Sequence, residues 1–222
     1  MKAVILFCGI LASVFVNAQR YEFDYITEVE TKVLTGRLNG KAHTETMLVN
    51  SKDPGYSLSF SKSAYDGSYS AIIQDRSRGI AHYFSAEIEE SPDLKINLTY
   101  SDSHLFSTKR DTRIRRTEVE QLGSLHFDYQ FFYTKKGKKP DIHVIFELEK
   151  AERELMFFFS KEMRFSDKMF IFSRVKSNLP KDENFLIRKF TAHFPHSSSV
   201  QSILKSYSAV DLKVSVNKPV VK

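Results

Sequence analysis

Residues 124–149 read SLHFDYQFFYTKKGKKPDIHVIFELE. Leu125, Phe127, Tyr129, Phe131 and Tyr133 all fall on odd numbers, and Ile142, Val144, Phe146 and Leu148 all fall on even numbers. Two runs of period two, separated by a turn rich in Lys, Gly and Pro, predict a β-hairpin with one apolar face. Directly opposed residues point to the same side of a sheet, so the two apolar sets meet only if paired numbers sum to an odd value. A sum of 275 leaves 135–140 as the loop, with Lys135, Lys136, Lys138 and Lys139 around Gly137, and sets Asp128 against Glu147. A sum of 273 sets His126 against Glu147, which is a favourable pair without any metal.

The same period runs outward from this hairpin. Tyr21, Phe23, Tyr25, Val29 and Val33 are expected on the buried face of a long strand, with Glu22, Asp24, Glu28, Glu30 and Lys32 on the wet one. Tyr56, Leu58 and Phe60 alternate with serines, and Leu94, Ile96, Leu98 and Tyr100 alternate with polar residues. Further strands are expected at 44–50, 68–74 and 79–85. The turns between them are Leu38-Asn39-Gly40, Asp53-Pro54-Gly55, Asp66-Gly67 and Ser91-Pro92-Asp93.

Past Glu149 the period blurs. The apolar runs 155–159 and 169–172 are expected to be buried, and 149–154 can start a helix. Ser197, Ser198 or Ser199 can cap a short helix with Val200, Ile203, Leu204 and Tyr207 on one face. Val210, Leu212, Val214 and Val216 then make a last strand. The expected fold is mainly β, a β-rich α+β class. It is a curved antiparallel sheet or open half-barrel of short strands, with one or two helices in the C-terminal half and a single domain over 19–222.

Residues 1–18 have the form of a cleaved signal peptide. Lys2 is the positive start, 3–16 is apolar apart from Gly9 and Ser13, and Val16 and Ala18 are the small residues before a cut at Ala18/Gln19. The apolar run is shorter than the roughly 20 residues that cross a bilayer. Cys8, the only cysteine, lies inside it. The mature chain is then cysteine-free, which excludes disulfides, thiol nucleophiles and iron–sulfur clusters. The expected location is the periplasm or the exterior. The whole chain carries a formal net charge of +6, which suits anionic partners.

No residue pattern assigns a catalytic, metal or cofactor site. Gly55-Tyr56-Ser57-Leu58-Ser59 lacks the closing glycine of a nucleophile elbow, and Ser57 is expected on a wet strand face. The histidines form no H-E-x-x-H pair, and Pro195 between His193 and His196 prevents a regular helix face. The polar connection 101–123 contains the candidate anion-binding residues Lys109, Arg110, Arg113, Arg115 and Arg116, whose guanidinium forks suit phosphate or sulfate oxygens. Nucleic acid is not an expected partner, because the aromatic side chains fall on the buried side of the alternation.

The start of the mature chain is Asn17-Ala18-Gln19, then Tyr21-Glu22-Phe23-Asp24-Tyr25, with Asn50-Ser51-Lys52-Asp53 leading to Tyr56. It resembles small exported proteins of unassigned function from Bacteroidetes. The resemblance covers about the first quarter of the chain and implies a Gram-negative envelope setting. The strand meander is also similar in architecture to the half-barrel of periplasmic lipoprotein carriers. The first functional expectation is a non-enzymatic binding protein of the cell envelope, holding a lipid or other apolar or amphiphilic ligand on the aromatic sheet face. The alternative is a structural or adhesive surface protein that binds an anionic envelope polymer through basic loops. A carboxylate-based hydrolase is a third reading, since acid pairs obey no spacing rule.

Overall fold

The structure, a computed structural model, describes residues 18–63, 66–89, 95–106, 113–156, 163, 165–195 and 197–216. The strands are β1 (Gln19–Val33), β2 (Ala42–Asn50), β3 (Asp53–Lys62), β4 (Tyr69–Asp75), β5 (Ile80–Glu89) and β6 (Lys95–Leu105). They are followed by β7 (Arg116–Gly123), β8 (His126–Phe132), β9 (Ile142–Ala151), β10 (Asn184–His193) and β11 (Val200–Val216). The helix α1 (Phe165–Ser177) lies between β9 and β10. All the strands form one antiparallel sheet in the order β6-β5-β4-β3-β2-β1-β11-β10-β9-β8-β7. Neighbours in sequence pair within β1–β6 and within β7–β11, and β1 and β11 join the two meanders at the centre. The edges are β6 and β7, consecutive in the chain, and the sheet is not closed into a barrel.

That topology forces curvature. Flat, this sheet would hold its edges roughly 48 Å apart. The chain between Leu105 and Arg116 can reach at most about 40 Å. The bending is visible in the first meander. The Tyr21 hydroxyl on β1 lies 3.0 Å from Asp75 on β4 and 2.9 Å from His82 on β5. Four strand steps on a flat sheet would separate β1 from β5 by about 19 Å. Rolling this half inward encloses Phe23, Leu48, Leu58, Ala71, Ile73 and Phe84 as one apolar cluster.

The second meander buries its other face. Phe127, Phe146, Phe190, Ser202 and Thr31 form one cross-strand row. Ile26 joins the first cluster, and it lies five residues before Thr31 along an uninterrupted pairing with β2, so the two point to opposite faces. The apolar side of the sheet therefore changes at β1. At that crossover β2 is buried on both sides: Met47, Leu48 and Val49 are all at most 4% exposed. Helix α1 covers the second face through Ile171 and Val175, with Leu179 beyond its end, against Phe127, Tyr129, Phe131 and Phe146.

Several expectations are corrected. The hairpin 124–149 forms with an odd sum, but the value is 273: His126 faces Glu147 and Phe131 faces Ile142. Its loop therefore extends beyond the 135–140 tip, with Asp141 N–H donating to Phe131 and Tyr133 N–H to the Asp141 carboxylate. Tyr21, Phe23 and Tyr25 do not share a face. The register slips between Phe23 and Tyr25, and Tyr25 packs with Val29, Val49 and Leu204 instead. The segment from Val200 is the start of the 17-residue β11, not a helix. No helix starts at 149–154 either, where β9 continues to Ala151. The strands are not uniformly short, since β1 has 15 residues. The turn Ser91-Pro92-Asp93 lies outside the described residues, and Gly40 and Gly79 take the positive φ that their tight turns require.

Candidate functional site: an arginine-lined cleft beside the edge strand

The cleft forms where β7 begins and α1 passes over it. Arg115 N–H donates to the Phe132 carbonyl, and Arg116 then pairs with Phe132, which fixes the start of the edge strand. On α1, burial of Ile171 and Val175 turns the flanking stripe Phe170, Arg174 and Ser177 toward β7, as helical spacing requires, and Asn178 follows it just past the helix end. Arg115, Arg116, Thr117, Val119 and Tyr129 complete the lining of a cavity of about 260 Å3. No carboxylate is among these residues.

The three guanidinium groups differ in what they touch. Arg116 is the most constrained: Nη1 donates to Glu118, Nη2 to the Gly137 carbonyl, and its plane lies 3.7 Å over the Phe132 ring. Arg174 sits 5.2 Å over the Phe170 ring, a cation–π contact that leaves its N–H groups available. The Arg115 side chain is exposed. The Thr117 hydroxyl and Arg116 Nε are buried with no hydrogen-bond partner among the described residues. Asn178 donates to the Tyr129 hydroxyl at 2.9 Å and to the Arg174 carbonyl. Burial raises the Tyr129 pKa, keeping the phenol protonated.

Of the residues expected to bind anions, Arg115 and Arg116 therefore line this cleft. Arg113 lies just before it, its backbone N–H donating to Asp167 in the first turn of α1. Lys109 and Arg110 lie outside the described residues. Arg174, Thr117 and Asn178 join the cleft without any signal in the charge pattern of 101–123. The stripe 170-174-177-178 carries the signal for Arg174 and Asn178, but only once the segment is read as a helix.

A second polar constellation is closed to solvent. His82 Nδ1 lies 2.6 Å from the Ser103 hydroxyl, which lies 2.8 Å from Tyr100, and His82 Nε2 lies 2.6 Å from Gln19 Oε1. Gln19 Oε1 only accepts, so His82 donates from Nε2 and accepts from Ser103 at Nδ1. Tyr21 then donates to Asp75, whose other oxygen accepts from Arg78 N–H. His82 and Ser103 are fully buried. This arrangement fastens the rolled half of the sheet and does not present a nucleophile.

Ser57 corrects another expectation: it is 4% exposed, and its hydroxyl accepts from Arg76 at 3.0 Å. The apolar cavity lined by Thr27, Val29, Leu155, Ile187, Phe190, Ser202 and Leu204 has about 20 Å3, room for one water. On the polar side of the second meander, His143 lies 2.9 Å from both Asp128 oxygens and 5.4 Å, ring to ring, from His193. Among the described residues no three His, Cys, Asp or Glu side chains gather as a metal-holding group. No protein-family model matches the chain, and no curated protein matches it in sequence.

Proposed function

We propose that the chain is an exported, non-enzymatic binding protein of the cell envelope whose ligand is anionic and occupies the cleft between β7 and α1. The observation that carries this reading is the cleft lining: among the described residues it holds arginines, neutral hydrogen-bonding groups, a buried Thr117 hydroxyl without a partner, and no carboxylate. The formal net charge of +6, or +5 once Lys2 is removed with residues 1–18, adds a favourable field for such a ligand. Export is supported by the signal-like residues 1–18. The reading as a carrier of an apolar ligand has less support, because α1 packs on the aromatic face and the apolar cavity holds about 20 Å3.

The test is retention of the mature chain on immobilised dextran sulfate against neutral dextran. Retention on dextran sulfate alone, eluting with rising salt and weakened in the Arg115→Gln/Arg174→Gln variant, is the expected result. Equal retention on both supports, or retention indifferent to that variant, overturns the reading. N-terminal sequencing of the protein from its own host checks export and is expected to begin at Gln19.

A further inference from the structure

The hydrogen-bonding groups left free in the cleft narrow the chemistry of the anionic ligand, an inference that rests on the binding function proposed for the cleft. Arg116 is neutralised by Glu118 and held by the Gly137 carbonyl, so its two terminal nitrogens already have acceptors. The positive charge left for a ligand comes from Arg115 and Arg174. Two further donors lie beside them, the unpartnered Thr117 hydroxyl and the Tyr129 hydroxyl, whereas the Arg116 guanidinium stacks on Phe132 on the other face of the strand. Tyr129 accepts from Asn178, which leaves its own proton to give.

Acceptors come from the end of α1 and the residue after it. Both Asn178 N–H bonds are directed at Tyr129 and the Arg174 carbonyl, leaving Oδ1 as the free end of that amide. The Ser177 hydroxyl donates to the Arg174 carbonyl, so only its lone pairs face outward. Phe170, Val119 and the Tyr129 ring supply apolar wall. A ligand that satisfies all of this carries a compact anion with three terminal oxygens and one or two charges, attached to a small body with hydroxyl donors and an apolar face. A planar carboxylate brings one charge and two oxygens. A tetrahedral ester brings three terminal oxygens and up to two charges.

We infer that the cleft binds a sugar ring carrying a phosphate or sulfate ester, with the ester oxygens between Arg115 and Arg174 and the ring hydroxyls on Asn178 and Ser177. The volume of about 260 Å3 suits one such unit, so an esterified polysaccharide would be read one residue at a time.

Isothermal titration of the mature chain with glucose 6-phosphate, glucose 6-sulfate, glucose, glucuronate and the inorganic anions tests this. At least one ester is expected to bind tenfold or more tighter than glucose, glucuronate and its own inorganic anion, and the ester that does so names the source. Arg115→Gln and Arg174→Gln are each expected to weaken it at least tenfold, and Thr117→Val several-fold, with unchanged far-ultraviolet circular dichroism. Ester binding no tighter than that of glucose, glucuronate or the bare anion overturns the inference. So does ester binding that neither arginine variant weakens. If dextran sulfate retention still depends on Arg115 and Arg174 while the esters fail, the ligand class falls and the anionic reading stands. If retention is indifferent to those arginines, both fall.

Discussion

The hydroxyl of Tyr21 stands 2.9 Å from Nε2 of His82, across four strand steps of one sheet. This contact can exist only if the first meander is rolled, so it reports the curvature directly. Tyr21→Phe removes the donor to Asp75, a residue only 3% exposed. Leaving a buried acceptor unpaired costs about 1–3 kcal/mol, and the Arg78 N–H bond to the other Asp75 oxygen keeps the loss near the lower end. His82→Ala adds a cavity beside Ser103 and is expected to cost more than Tyr21→Phe. Urea unfolding measures both, and a hydroxyl deletion without effect would refute the rolled geometry.

Stability should also fall in mild acid through His82. Burial lowers its pKa from the ordinary 6.5, Arg78 pushes the same way and Asp75 opposes. With the folded value below the unfolded one, the contribution is complete above about 6.5 and is lost as pH falls toward the folded value, because the unfolded chain takes the proton first. The slope is at most about 1.4 kcal/mol per pH unit for one such proton. His193, lowered by burial and by His143 against Asp128, adds a contribution of the same sign. His82→Gln should therefore flatten the curve between pH 6.5 and 5 without abolishing its slope. Parallel curves for the two proteins would assign the acid loss elsewhere.

The hairpin is legible because strand periodicity is two and its apolar residues obey it at Phe127, Tyr129, Val144 and Phe146. The choice between sums of 273 and 275 follows the pairing of His126 with Glu147 rather than the length of the loop. The helical look of 200–207 has an identifiable cause. Val200, Ser202 and Leu204 face one way, and then the register slips between Glu28 and Val29, moving β11 on by one residue. That bulge leaves Val200, Leu204 and Tyr207 at spacings that imitate a helical turn. The true helix has Met169, Phe170, Ile171 and Phe172 in succession, a pattern that conceals the 3.6 period. The cleft inherits that gap: Arg115 and Arg116 are legible as charge, while Arg174 enters only through packing of α1.

A half-buried cation near the start of α1 offers a stabilising substitution. Burial pushes the Lys168 ammonium down to about 8, the nearby Arg76 acts in the same direction, and Glu45 opposes. The folded value lies below the ordinary 10.5, so the cost is fully present below pH 8 and disappears as pH rises from 8 to 10.5. Lys168→Met keeps the stem and removes the charge. It should stabilise the protein at pH 7 by about 1–3 kcal/mol. Thermal unfolding is expected to show the gain shrinking at pH 10, and a destabilised variant would mean that the Glu45 interaction outweighs desolvation.

The crossover at β2 makes a demand that a sheet with one wet face would not. Leu48 packs with Leu58 and Ile73 in the rolled half, while its neighbour Val49 packs with Val29, Leu155, Leu186 and Leu204 on the opposite side. Neither is exposed at all. Leu48→Ala should cost about 2–5 kcal/mol through the cavity it leaves. Val49→Ala removes less volume and should cost roughly 1.5–3 kcal/mol. In a sheet with a single apolar face, adjacent strand residues alternate between core and solvent, and one of the two truncations would be nearly silent. Chemical denaturation of the two variants separates the cases: large losses for both establish the change of face at β1, and a silent Val49→Ala would place the second cluster in solvent.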